Sequence, residues 1–167
     1  MHLTTPTTLT LKSVPSGVAG IRATLSKMRL LTREAKKSLP IRMQAVALVS
    51  HLPQKDFKAE IRAIHAFVRD KIRYVKDVNG VELLHTPAKL LEIGQGDCDD
   101  KSMLVASLLE SIGHPTRFVA ISNAPSKFCH VYVETKIGGN WYSVETTENV
   151  AVGWKPKAFE KLIIHNK

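Results

Sequence analysis

Apolar residues recur at three- and four-residue steps through the first half of this chain. In much of the second half they alternate singly or run together. Val18, Ile21, Leu25, Met28, Leu31 and Ala35 keep the helical step and predict a helix over 16–38. Arg22, Arg29, Arg33, Lys36 and Lys37 occupy much of its other side, giving a basic outer face. Pro40 separates it from a short second helix over 41–51. Asp56 is placed to cap a third, which runs to about Arg73 and carries Ile61, Ile64, His65 and Val68 on one stripe, with Phe57 and Ile72 extending it. A histidine on such a stripe reads as a core or boundary residue. Ahead of these helices, residues 1–15 read as an extended arm, rich in threonine and punctuated by Pro6 and Pro15.

Residues 74–82 read as an irregular connection turning at Asn79-Gly80. Thr86 then caps a short helix with Pro87 at its first position, and Gly94 ends it. A longer helix, 98–112, is apolar around much of its circumference through Leu104, Val105, Leu108, Leu109 and Ile112, which predicts burial. Gly113 stops it and Pro115 follows. A strand is predicted over 116–121, a loop over 122–127, and a hairpin from 128–136 and 140–146 around Gly138-Gly139. A last helix is predicted over 157–164. Helices first and antiparallel strands afterwards make the fold class α+β. The chain divides into an arm with a basic helical extension, 1–55, and a second unit, 56–167, which holds the candidate chemistry described below.

Charge changes this picture in one respect. Residues 1–73 hold 14 Lys and Arg against 4 Asp and Glu, and residues 74–167 hold 10 against 11. The net charge of +9 therefore belongs to the front half. Helix 17–38 is a candidate docking face for an anionic or protein partner. Nucleic acid is disfavoured, because no aromatic residue interleaves with Arg22–Arg42 to stack bases. Two cysteines are no disulfide scaffold. The threonine-rich start lacks the form of a signal peptide, and no run has the length of a membrane span, so a cytoplasmic or virion-associated protein is expected.

The candidate chemistry centres on Gly94-Gln95-Gly96-Asp97-Cys98-Asp99-Asp100. Two glycines and a capping aspartate deliver Cys98 to the first turn of the buried helix. His130 lies in the first hairpin strand, and Glu145 lies in the second, close enough to be its cross-strand neighbour. Cysteine at a helix start, with histidine and a carboxylate on adjoining strands, outlines a nucleophilic triad. The helix dipole and a protonated His130 are expected to lower the Cys98 pKa, against repulsion from Asp97, Asp99 and Asp100. Strand alternation places Cys129 opposite His130, in the core and unreactive. A metal site built from Cys98, Asp99, Asp100 and His130 lacks the usual ligand spacing, and no cofactor is implied.

These pieces, with Cys129-His130-Val131-Tyr132-Val133 and Trp141-Tyr142-Ser143-Val144-Glu145-Thr146, resemble the transglutaminase-like superfamily of papain-type cysteine enzymes. They are most similar to its bacterial and phage branch, whose cysteine loop reads Gly-Asp-Cys-Asp-Asp. The resemblance covers roughly residues 57–150. It implies Cys98 as nucleophile, His130 as acid and base, Glu145 as orienting carboxylate, and an antiparallel sheet packed on the cysteine helix. Where this sequence has Glu145 the family usually has aspartate. The oxyanion hole is assigned to the Cys98 backbone N–H, with Gln95 as a secondary candidate. The expected activity is hydrolysis of a peptide or protein amide through a thioester, with cell-wall peptide as one substrate. Acyl transfer to an amine and a non-catalytic virion or assembly module are the alternatives.

Overall fold

The computed structural model describes residues 8–11, 15–78 and 82–167, so the expected turn at Asn79-Gly80 and most of the 1–15 arm lie outside the described residues. In chain order the elements are β1 (Thr8–Leu11), α1 (Gly17–Ala35), α2 (Leu39–Val49), α3 (Phe57–Lys71), β2 (Arg73–Tyr74), β3 (Glu82–His85), α4 (Pro87–Ile93), β4 (Gln95–Gly96), α5 (Cys98–Ser111), β5 (Thr116–Ser122), β6 (Phe128–Ile137), β7 (Asn140–Val144) and β8 (Glu160–His165). This is an α+β architecture, with a four-stranded antiparallel sheet, order β7-β6-β5-β8, packed against α5.

Local chemistry starts α3 and bounds α4 where expected, whereas α1 stops at Ala35 and α2 begins at Leu39, with Pro40 inside its first turn and not ahead of it. Asp56 accepts from Ala59 N–H at the head of α3, and Thr86 accepts from Lys89 N–H ahead of Pro87 in α4. Gly94 closes α4 in the left-handed region at φ 69°, a conformation that costs glycine little. Its neighbour Gly96 is needed for a different reason. A Cβ there would stand 2.7 Å from both Asp100 Cβ and Leu90 Cδ1. Gly96→Ala should therefore push α4 away from the head of α5 and cost about 1–3 kcal/mol, as overpacking does. Urea unfolding would measure this, and an unchanged midpoint would mean that the contact relaxes freely.

One core joins the layers. Leu25, Met28 and Leu31 of α1, and Ile41 and Ala45 of α2, pack in the same buried cluster as Ile61, Ile64 and Val68 of α3, Leu104 and Leu108 of α5, and Val131, Val133 and Val144 of the sheet. Residues 17–49 are thus continuous with the rest of the interior. Part of their basic face is also spent internally. Arg29 donates to the Lys167 carbonyl at 2.9 Å, and Lys36 pairs with Glu110 at 3.1 Å.

Two expectations fail for non-local reasons. Residues 157–164 contain no helix: Glu160–His165 is a strand that closes the far edge of β5, pairing Arg117 with His165 through Ser122 with Glu160. The adjacent Leu162-Ile163-Ile164 suit a strand, and β5 supplies the partner that a local reading cannot see. Cys129, expected in the core, is exposed. The β5–β6 register shifts at this point, from Ile121↔His130 to Ser122↔Phe128, leaving Cys129 as the extra residue of a bulge. The alternation that holds from His130 to Thr135 does not extend to it.

Candidate active site

Strand β7 pairs with β6 only as far as Val133↔Val144. Beyond that point β6 has lost its neighbour on that side, and the head of α5 takes its place. Ser102 Oγ donates to the Val131 carbonyl at 3.1 Å, and the Val131 N–H donates to the Cys98 sulfur. The thiol is therefore held one peptide unit from His130, at the gap where the two strands part.

The head of α5 is closed by reciprocal capping. Asp97 accepts from the Asp100 N–H at 3.0 Å, and Asp100 accepts from the Asp97 N–H at 3.3 Å. Asp100 is further held by His85, whose backbone N–H reaches Oδ1 at 2.8 Å and whose Nδ1 lies 2.9 Å from Oδ2. Burial and then the Asp100 carboxylate push Asp97 up to about 7. One turn on, the buried Lys101 donates to the carbonyls of Ile72 at 2.7 Å and Arg69 at 3.3 Å, tying α5 to the end of α3. Burial brings its pKa down to about 8.

Glu145 follows the last residue of β7 and is 1% exposed. Its Oε2 is 2.6 Å from His130 Nε2, and its Oε1 accepts from the Thr147 N–H at 2.7 Å and from the Thr147 hydroxyl. Burial acts to raise its pKa, but the bonds and charge of His130 and the Thr147 donors outweigh this and hold it below the ordinary carboxylate value. A carboxylate can only accept here, so Nε2 carries a proton and Nδ1 is left for another partner. The Tyr132 ring stacks beside the imidazole, centroids 6.4 Å apart.

Cys98 itself departs from expectation. Its thiol is pushed well above the ordinary value, first by burial and then by the Asp99 and Asp97 carboxylates. The sulfur donates towards Asp99 Oδ1 at 3.6 Å. The helix dipole and the Val131 N–H favour the thiolate but do not offset burial and the two carboxylates. Cys98 is half-buried, so its sulfur remains reachable, and its pKa is shifted in the direction opposite to the one expected from the sequence. Replacing Asp99 by asparagine should lower the thiol pKa. At pH 8 it should speed carboxymethylation of Cys98 by about tenfold, through a larger thiolate fraction, while Cys129 at the exposed bulge reacts as before. Peptide mass mapping checks this, and an unchanged Cys98 rate would remove Asp99 as a cause.

The other predicted residue, Gln95, is exposed on the short β2–β4 pair, where its Oε1 accepts from Arg73 at 2.8 Å. Three further neighbours of the site carry no signal of that role in the sequence. Tyr74, 46% exposed, has its hydroxyl pKa raised by burial, then by Cys98, Asp97, Asp99 and Glu148. Thr147 and His65 both hold Glu145, the latter through the Glu145 carbonyl. Among the described residues, no three His, Cys, Asp or Glu side chains form a group that could hold a metal ion. No described helix is long and apolar enough to cross a membrane.

No curated protein matches this chain. Among solved structures it is similar to a candidate cysteine protease from Cytophaga hutchinsonii, with TM-score 0.52 and 17% identity over 74% of this chain and 45% of that one. A candidate protease from Parabacteroides distasonis superposes with TM-score 0.59 and 9% identity, over 86% of this chain and 29% of that one. Calcium-bound LapG of Legionella pneumophila gives TM-score 0.52 and 17% identity, over 76% and 75% of the two chains. The chain thus spans less than half the length of the first two. At these identities the likeness is one of fold. In sequence, the model of the transglutaminase-like superfamily matches residues 45–146, more than half the chain, from within α2 to just past Glu145. The chain belongs to the transglutaminase-like superfamily.

Proposed function

We propose that this protein is a cysteine hydrolase that cleaves an amide bond through a thioester on Cys98. The observation that carries the reading is the parting of β6 and β7. There a half-buried thiol at a helix N-terminus is bonded to the residue after His130, and His130 is bonded to an ionised Glu145. With Nε2–H committed to Glu145, Nδ1 is the free base. In this mechanism it takes the Cys98 proton as the sulfur bonds to the substrate carbonyl carbon. The Cys98 backbone N–H, at the first position of α5, where a helix supplies its N–H groups with no partner of its own, is suited to the developing oxyanion. His130 then returns the proton to the departing amine as the C–N bond breaks. Water attacks the thioester, giving a proton to Nδ1, and the sulfur leaves and recovers that proton as the acid is released.

A thiol held above neutral pKa suits this general-base route, because the proton moves only when substrate is in place. Glu148 is exposed, and it acts on the Tyr74 hydroxyl together with Cys98, Asp97 and Asp99; this acidic neighbourhood supports a peptide bearing an amine, as bacterial cell-wall peptides do. The test is turnover of a library of dipeptidyl aminomethylcoumarin amides, with and without a primary amine such as cadaverine. The proposal expects the free acid as product under both conditions. An amide formed with cadaverine in place of the acid would make the protein an acyl transferase, and no coumarin release would remove the hydrolase reading.

A further inference from the structure

We infer that His65 is a positioning residue for the chemistry proposed above, fixing the backbone of Glu145 so that its carboxylate meets His130. The inference rests on that reading of Cys98, His130 and Glu145. Strand β7 ends at Val144, so Glu145 lies just past the β6–β7 ladder. Its carbonyl is deep in the protein, where an unpaired acceptor is costly. The His65 Nε2, on α3, lies 2.6 Å from that carbonyl, and His65 is 3% exposed. A carbonyl only accepts, so Nε2 bears the proton and donates.

Glu145 is thereby held at both ends. Its backbone is bonded to α3, and its carboxylate is divided between His130 Nε2 and Thr147. A glutamate has one more rotatable bond than an aspartate, and so more positions from which to miss the imidazole. Pinning the backbone fixes the point from which the side chain reaches, while His130 and Thr147 fix its far end. The frame is shared with the nucleophile, because the end of α3 also receives Lys101 from the first turns of α5. His65 stays neutral in this role. Burial lowers its pKa and Arg69 acts in the same direction, outweighing the opposing Glu145 carbonyl, Asp70 and the Glu145 carboxylate. Nothing in the helical stripe that carries Ile61, Ile64 and Val68 marks His65 as different, because its partner lies 80 residues away.

The experiment compares His65→Phe, which keeps the ring shape and loses the donor, with His65→Gln, whose amide nitrogen can reach the same carbonyl. Three quantities are read on the full chain: kcat and KM on the best coumarin amide, the downfield Nε2–H proton signal of His130, and the urea midpoint. The His130 signal is assigned by its loss in His130→Asn. His65→Phe should lower kcat by about 10- to 100-fold, as misplacing a catalytic group does, with KM changed less than about twofold by the same argument. It should also shift or broaden the His130 signal, and His65→Gln should restore most of both. A folded His65→Phe with unchanged kcat and an unchanged His130 signal would overturn the inference. So would a loss of stability in both variants with the His130 signal intact, because a purely structural histidine would behave that way. The proton signal needs no substrate, so the inference can fail or stand even if the hydrolase reading fails. That reading fails separately, by an absence of turnover in the unmodified protein.

Discussion

Replacing Cys98 with alanine should abolish amide hydrolysis, lowering kcat by roughly 10⁵-fold or more, as removal of the nucleophile does in hydrolytic triads. The loss should come without unfolding. Cys98 is half-buried, and its removal leaves intact the reciprocal Asp97–Asp100 cap, the His85–Asp100 bonds and the Lys101 ties that hold the head of α5. The Val131 N–H loses an acceptor at the open edge of β6, a modest cost beside the core below it. Cys129 cannot take over. It lies on the exposed bulge, its sulfur 3.7 Å from the Ile121 carbonyl. Stopped assays with circular dichroism of the same samples would test this. Turnover surviving in folded Cys98→Ala would place the chemistry elsewhere.

Glu145→Ala should lower kcat by at least ~100-fold, because the imidazole loses the group that fixes its tautomer and its orientation. It also strands the Thr147 N–H and hydroxyl, which now share Oε1. Glu145→Asp should retain much more activity, since one carboxylate oxygen can still approach His130 Nε2. One acid on the strand of His130 is not free to substitute. Glu134 sits on the same face of β6, but Arg117 holds it at 2.7 and 2.5 Å and Lys155 at 3.2 Å. Full activity in the alanine variant would show that His130 is oriented by something other than Glu145.

Much of the frame is legible in the sequence because it is set by neighbours in the chain. Asp56 and Thr86 cap within three residues of themselves, and Asp97 and Asp100 cap each other across one turn. Gly138-Gly139 makes a two-residue hairpin loop, which sets the Ile137↔Asn140 register and so carries His130 and Glu145 to one place. What the sequence does not reveal depends on distant partners. The tail becomes β8 because β5 has an open edge, and Cys129 leaves the core because β5 and β6 slip by one residue. The elevated Cys98 pKa follows from burial, a three-dimensional quantity, acting with Asp99 and Asp97.

A covalent bond to one sulfur is the centre of the proposed chemistry. The most direct measurement is the intact and peptide mass of the protein quenched in acid during turnover of the best coumarin amide. An acyl group carried by the peptide containing Cys98, absent from Cys98→Ala and from His130→Ala, in which no base takes the thiol proton, is the predicted result. Turnover with no adduct on any cysteine, or an adduct on Cys129 alone, would contradict it.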